Sequence, residues 1–236
     1  MTGRAASHVV DLDSPRCVLH RDVVADFLAL RAAAAAAGID LAPVSSFRDF
    51  DRQLAIWNAK CRGERELLDK EGRPLDPASL DEESLVAAIL YWSALPGASR
   101  HHWGTEVDVI DAAALPAGER PQLVQSEYAE GGVFAHLDRW LETNAAGHGF
   151  FRPYAVDRGG VQPEPWHLSH AAVAQAAMAQ FSVTILGEAL DAVEIEAGMT
   201  VAARLPEIFD RYVLNVDPAP ADALAAASVS LASRPS

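Results

Sequence analysis

Apolar residues recur along much of this chain at the spacing of amphipathic helices. The clearest case covers residues 21–37, and Gly38 follows it as a natural C-terminal stop. The form Ser79-x-x-Glu82, which is that of a capping box, predicts the start of another helix. The same periodicity predicts further helices over residues 49–61, 133–146, 171–181, 186–193 and 201–213.

Alternating apolar and polar residues predict a few short strands between these helices. Residues 39–46 alternate loosely, whereas residues 105–111 alternate clearly and are rich in β-branched side chains. The period of two places Glu106 and Asp108 on one face of this second strand, with valines on the other face. A further strand is predicted over residues 164–168.

Strands that lie before, between and after helices, without regular βαβ alternation, predict an α+β fold with a small antiparallel sheet. The length suits one domain, which we expect over residues 1–216, with a core over about 20–181 and extra C-terminal helices over 182–216. The charged stretch 63–77 lacks periodicity and predicts an exposed loop. From residue 217 the composition is Ala, Pro and Ser, which predicts a disordered tail over 217–236.

Composition excludes some classes of partner. The net charge is −14, with acidic residues scattered along the chain, which argues against nucleic acids and anionic membranes as partners. No run of about 18 apolar residues predicts a transmembrane segment. The first residues carry no apolar core of a signal peptide, so we expect a cytoplasmic protein, with export by another route left open. Cys17 and Cys61, far apart and without a CxxC spacing, are expected to be reduced thiols, with a disulfide between them as the alternative.

Two short segments carry the residues with the most distinctive chemistry. The first contains His101 and Asp108, with Gly104 between them, and the second contains Glu164 and His167. Two imidazoles and one carboxylate suit a catalytic zinc ion, which takes three protein ligands and leaves one position open. Glu164 is then a spare carboxylate beside the last ligand, and a hydrolase needs such a base to take a proton from water.

Each of these residues also has an ordinary structural explanation. His102 is expected to flank the site without binding metal, Asp108 could cap or form a salt bridge, and Arg48 could be a surface cation. In a regular strand, Glu164 and His167 would point to opposite faces. A bulge or turn at the intervening proline is therefore needed for both side chains to approach one ion.

The spacing of three separated motifs resembles that of the VanY/VanX-type zinc D-alanyl-D-alanine carboxypeptidases and dipeptidases, in the LAS metallopeptidase group. The likeness covers about residues 39–169 and implies the LAS fold, which is hedgehog-like. The motifs are Ser99-x-His101-x-x-Gly104-x-x-x-Asp108, Glu164-x-x-His167 and Ser45-Ser-Phe-Arg48 with Gln53 five residues later.

The resemblance implies a role for each motif residue. His101, Asp108 and His167 would hold one zinc ion. Glu164 would be the general base that deprotonates water and then the acid that protonates the leaving amine. Arg48 would stabilise the oxyanion that forms at the scissile carbonyl, where a fixed cation is most useful.

Ser99 and Gln53 are the remaining candidates from these motifs, as substrate contacts. The chain departs from the family pattern at Glu106, where the family usually has alanine, and at Pro165. Glu106 could lie near the metal, contact a cationic part of the substrate, or form a peripheral salt bridge.

The resemblance implies a zinc peptidase that cleaves next to D-alanine in peptidoglycan stem peptides, with carboxypeptidase action preferred. D-Ala-D-Ala dipeptidase and peptidoglycan endopeptidase activities are alternatives with the same chemistry. The alternative from another class is a catalytically silent module that binds peptidoglycan peptides. The presence of Glu164 and Arg48 favours the enzyme, and the oligomeric state is left open.

Overall fold

The computed structural model describes residues 1–233, and a four-stranded antiparallel sheet lies at its centre. Its strand order is β3-β6-β8-β7, while β1 with β2 and β4 with β5 form two separate hairpins. The strands are β1 (Val9–Asp13), β2 (Arg16–His20), β3 (Leu41–Ser45), β4 (Leu67–Leu68), β5 (Pro74–Leu75), β6 (Glu106–Asp111), β7 (Phe150–Phe151) and β8 (His167–His170).

Helices surround this sheet. Within residues 1–233 they are α1 (Val24–Ala36), α2 (Phe50–Cys61), α3 (Glu82–Leu90), α4 (Gln125–Tyr128), α5 (Ala135–Asn144), α6 (Ala171–Gln180), α7 (Val183–Asp191), α8 (Gly198–Ile208) and α9 (Ala221–Ala232). The predicted α+β class with a small antiparallel sheet is therefore confirmed, as are the helices expected from apolar periodicity. Their ends agree to within a few residues except for the helix predicted over 201–213, where α8 ends at Ile208 and a π-helix follows over Phe209–Leu214.

Aspartates cap the two helices that precede the site. The Asp49 carboxylate accepts a hydrogen bond from the Arg52 amide at the start of α2. Asp81, not the predicted Ser79, caps α3 by accepting from the Ser84 amide. The predicted N-cap was wrong by two positions. Ser79 lies in a 3₁₀ turn, where its hydroxyl donates to the Asp76 carbonyl and so does not cap α3.

Two predictions about irregular segments need correction. The stretch 63–77 contains the β4–β5 hairpin, in which Leu67 is buried in the core and so fixes the segment against the domain. The strand predicted over 164–168 begins only at His167, because the His167 amide donates to the Glu164 carbonyl and closes a turn over Pro165.

The predicted disordered tail is also wrong over most of its length. Helix α9 buries Ala223 and Ala227 completely, and Ala227 lies against Gly149. Ser230 hydrogen-bonds Asp26 of α1. Small side chains let this helix pack closely, so the alanine-rich composition of this segment supports a packed helix. Residues 234–236 of the predicted tail lie outside the described residues.

Within residues 1–233 the core has two large clusters of buried side chains and a small third one formed by Ala171, Ala223 and Ala227. Of the large clusters, one lies between the sheet, α1 and α5, and the other between α2, α3 and the helices that follow β8. The two cysteines are free thiols, as expected. Across residues 1–233 no single helix is long and apolar enough to cross a membrane, although the sharply bent pair α6 and α7 together meets that length and composition.

Candidate active site

The pairing of β6 with β8 brings distant parts of the chain face to face. Asp108 lies directly opposite His167, and Glu106 lies opposite Ser169. Because side chains alternate along a strand, all four point to the same side of the sheet, while Val107 enters the core on the other side. The predicted placement of Glu106 and Asp108 on one face is confirmed.

A left-handed glycine positions the remaining histidine. His101 lies in a 3₁₀ turn over Arg100–Trp103, which ends at Gly104 with φ of +68°. A Cβ atom at Gly104 would lie 2.5 Å from Val9 Cγ1 and 2.8 Å from the His20 amide nitrogen, so no other residue fits without displacement. The chain can therefore turn sharply from His101 into β6.

His101, Asp108 and His167 form a cluster that could hold a metal ion. One ligand atom from each residue lies within 4.8 Å of the others. The distance from His101 Nε2 to Asp108 Oδ2 is 3.5 Å, and that from His167 Nδ1 to Asp108 Oδ1 is 3.3 Å. The His101 Nδ1–H donates to the Ser46 carbonyl at 2.8 Å, which leaves the lone pair of Nε2 facing the cluster.

The chemistry of this cluster fits a zinc ion. All three side chains are buried, and Asp108 Oδ1 makes no hydrogen bond of good geometry despite its burial. Burial lowers the pKa of His101 to about 3, so its ring is neutral, as a metal ligand must be. Two imidazoles and one carboxylate are a donor set that catalytic zinc sites use.

The Glu164 carboxylate lies beside these three candidate ligands. The turn over Pro165 places Glu164 Oε2 3.1 Å from His167 Nδ1, which an extended strand would not allow. Burial raises the pKa of Glu164 above its ordinary value. A carboxylate of raised pKa is a stronger base than an ordinary one, which suits a group that takes a proton from water.

Arg48 reaches the same cavity from the loop before α2. Its guanidinium donates to Gln53 Oε1 at 2.8 Å and to Ser45 Oγ at 3.1 Å. Gln53 is fully buried and its amide nitrogen donates to the Ala94 carbonyl. The prediction of a substrate contact at Gln53 is therefore corrected, because both ends of its amide are taken and its side chain orients Arg48.

His102, the neighbour of His101, points away from the cluster. Its Nε2 accepts from the Gly97 amide at 3.1 Å, and its Nδ1 donates to the Arg48 carbonyl. Both ring nitrogens are thus occupied by backbone, and the structure brings only His101 of this pair to the other candidate ligands.

A cavity of about 1040 Å³ opens over the cluster. Ser99, Arg48 and Glu164 line it, and so does Tyr154, which sequence reasoning missed. The Tyr154 ring lies 5.1 Å from the His167 ring, and burial raises the pKa of its hydroxyl to about 12, so it stays a hydrogen-bond donor. The only local signal for Tyr154 was its place after Pro153, which indicates a turn and no particular chemistry.

Comparison with known families agrees with the sequence motifs. The family model VanY, described as D-alanyl-D-alanine carboxypeptidase, matches residues 16–173, about two thirds of the chain. The chain belongs to the VanY family. The VanY match contains every residue of the cluster as well as Arg48 and Glu164, so the resemblance expected from the motifs is confirmed and the family is one of peptidases.

Relatives and solved structures add context to the VanY assignment. An uncharacterized protein of Haemophilus influenzae is 38% identical over 122 residues, which cover 51% of this chain and 93% of that protein. VanYB in complex with D-alanine-D-alanine is 21% identical, with a TM-score of 0.49 over 86% of this chain and 87% of that one. A vancomycin-resistance D,D-pentapeptidase VanY in complex with Zn(II) is 22% identical, with a TM-score of 0.49 over 87% and 92% of the two chains.

Proposed function

We propose that this protein is a zinc-dependent carboxypeptidase that removes the terminal D-alanine from peptidoglycan stem peptides. The observation that carries the proposal is the convergence of His101, Asp108 and His167 with Glu164 beside them, in a chain of the VanY family. Zinc held by the three ligands would act as a Lewis acid on the scissile carbonyl and lower the pKa of water.

The chain's own residues supply the proton transfers and the charge stabilisation. Glu164 takes the proton of the attacking water and then delivers it to the leaving amine. Arg48, held in place by Gln53 and Ser45, stabilises the negative charge that develops on the carbonyl oxygen. Neither step needs a covalent acyl-enzyme, so neither cysteine takes part.

Cations on the cavity wall offer partners for a substrate with a free C-terminus. Lys60 and Arg65 line the cavity together with Arg48, and the same wall carries the carboxylates Glu66, Glu71, Asp108 and Glu164. Burial, together with the nearby Arg65, lowers the pKa of Lys60. A terminal carboxylate would neutralise these cations, whereas the interior of a longer peptide would not.

A small panel of peptides tests the reaction. The panel contains a stem pentapeptide ending in D-Ala-D-Ala, the same peptide amidated at its C-terminus, and free D-Ala-D-Ala. We expect mass spectrometry to show the loss of one alanine from the first peptide and little reaction of the second. Internal cleavage of both pentapeptides, or cleavage of the free dipeptide alone, would overturn the carboxypeptidase assignment.

The variant Glu164→Gln separates an enzyme from a silent binding module. We expect its turnover to fall by about 10²–10⁴-fold, because a general base is lost, while bound zinc stays near one per chain. Glu71→Gln is a matched control, since Glu71 is an exposed carboxylate on the wall of the same cavity. Absence of any hydrolysis by the zinc-loaded wild type would support the binding module instead.

A further inference from the structure

A buried carboxylate lies behind the candidate metal cluster and is used by none of the steps above. Glu106 has no exposed surface, and its Oε2 lies 2.8 Å from His167 Nε2. A carboxylate only accepts hydrogen bonds, so His167 Nε2 must carry the proton in this contact. Nδ1 is then the ring nitrogen that faces Asp108 and Glu164, and its lone pair would become available when a metal ion replaces its proton.

Three donors hold the other oxygen of the same carboxylate. Thr105 Oγ1 and Ser169 Oγ each donate to Glu106 Oε1 at 2.8 Å, and Arg100 Nη2 lies 3.2 Å from it. Arg100 is also buried and donates to Ser169 Oγ at 2.7 Å. Glu106 is thus fixed in orientation, and its charge is balanced inside the protein.

We infer that Glu106 is a positioning residue that holds His167 in the tautomer and orientation needed to bind zinc through Nδ1. This inference rests on the proposed function, because it presupposes the zinc site. Side chains that hydrogen-bond the far nitrogen of a ligating histidine change metal affinity by about 10–100-fold when they are replaced. Arg100 has the separate task of neutralising the buried carboxylate.

The variant Glu106→Gln tests the tautomer directly. Three donors crowd the position of Oε1, so the amide oxygen of the glutamine must take that place. Its NH₂ group then faces His167 Nε2, which must become an acceptor and drive the ring proton to Nδ1. We therefore expect zinc affinity, measured by competition with a chromogenic chelator, to fall by about 10–100-fold although the side chain keeps its size.

The double variant Glu106→Ala, Arg100→Met separates this role from charge balance. It removes both buried charges, so His167 loses its acceptor without an unpaired Arg100 remaining. We expect zinc binding weaker than in the wild type but tighter than in Glu106→Gln, because the ring is free to adopt either tautomer. Asp111→Asn is the matched control: Asp111 is a buried carboxylate on the same strand that accepts from the Asp40 and Ala113 amides, and we expect zinc affinity close to that of the wild type.

Thermal unfolding of each metal-free variant verifies that it is folded. If Glu106→Gln or the double variant binds zinc as tightly as the wild type, the positioning role is overturned. Failure of the wild type itself to bind zinc would instead overturn the proposed function, so the two failures are distinguishable.

Discussion

Replacing Gly104 with alanine tests whether the turn between His101 and β6 is as constrained as its geometry indicates. The backbone at Gly104 has φ of +68°, which costs an L-residue about 1–2 kcal/mol. The new Cβ would also lie 2.5 Å from Val9 Cγ1 and 2.8 Å from the His20 amide nitrogen. Overpacking of this kind costs about 1–3 kcal/mol, so we expect a total loss of about 2–5 kcal/mol.

Gly38→Ala is the matched control for this substitution. Gly38 has φ of +81°, but a Cβ there would meet nothing within 4 Å, so only the backbone cost of about 1–2 kcal/mol applies. Urea denaturation of the metal-free proteins gives both losses in free energy of unfolding. Because the turn carries His101, Gly104→Ala should also weaken zinc binding. Equal losses in the two variants, with unchanged zinc affinity, would refute the steric argument.

Three further predictions follow from other parts of the molecule. Ala227→Leu should destabilise the fold by about 1–3 kcal/mol in urea denaturation, whereas Ala225→Leu on the exposed face of α9 should change it little. Arg48→Lys should lower kcat by about 10²-fold with zinc content unchanged, since lysine lacks the planar fork; an unaltered kcat would remove Arg48 from oxyanion stabilisation. Burial raises the pKa of Cys17 from 9.0 to about 11, so the unfolded chain deprotonates first and stability should decline as pH rises through that range. Cys17→Ala should show a shallower decline.

Local pattern was sufficient for the regular elements and for part of the site. Apolar periodicity located α1 and α2, because one face of each helix must be buried wherever the helix packs. Alternation in β6 placed Glu106 and Asp108 on one face before any partner strand was known. Motif spacing likewise predicted which residues are the candidate ligands.

Local sequence pattern did not predict the structure of short or composition-biased segments. The hairpin of β1 and β2 has partly exposed strands, so its alternation is weak. Helix α9 was mistaken for a disordered tail, since alanine and serine give little apolar signal. What stabilises it is close contact with Gly149 and α6, and such contacts depend on residues far away in the chain.

The sequence by itself determined the family, the fold class and the candidate site residues, because these follow from local spacing and residue type. Only the tertiary structure decided how they meet: the register that sets Asp108 opposite His167, and the turn over Pro165 that brings Glu164 to the same side. It also decided that Glu106 is fully buried and contacts a candidate ligand. Hydrogen-bond partners and burial arise from chain segments that are distant in sequence, so no local pattern contains them.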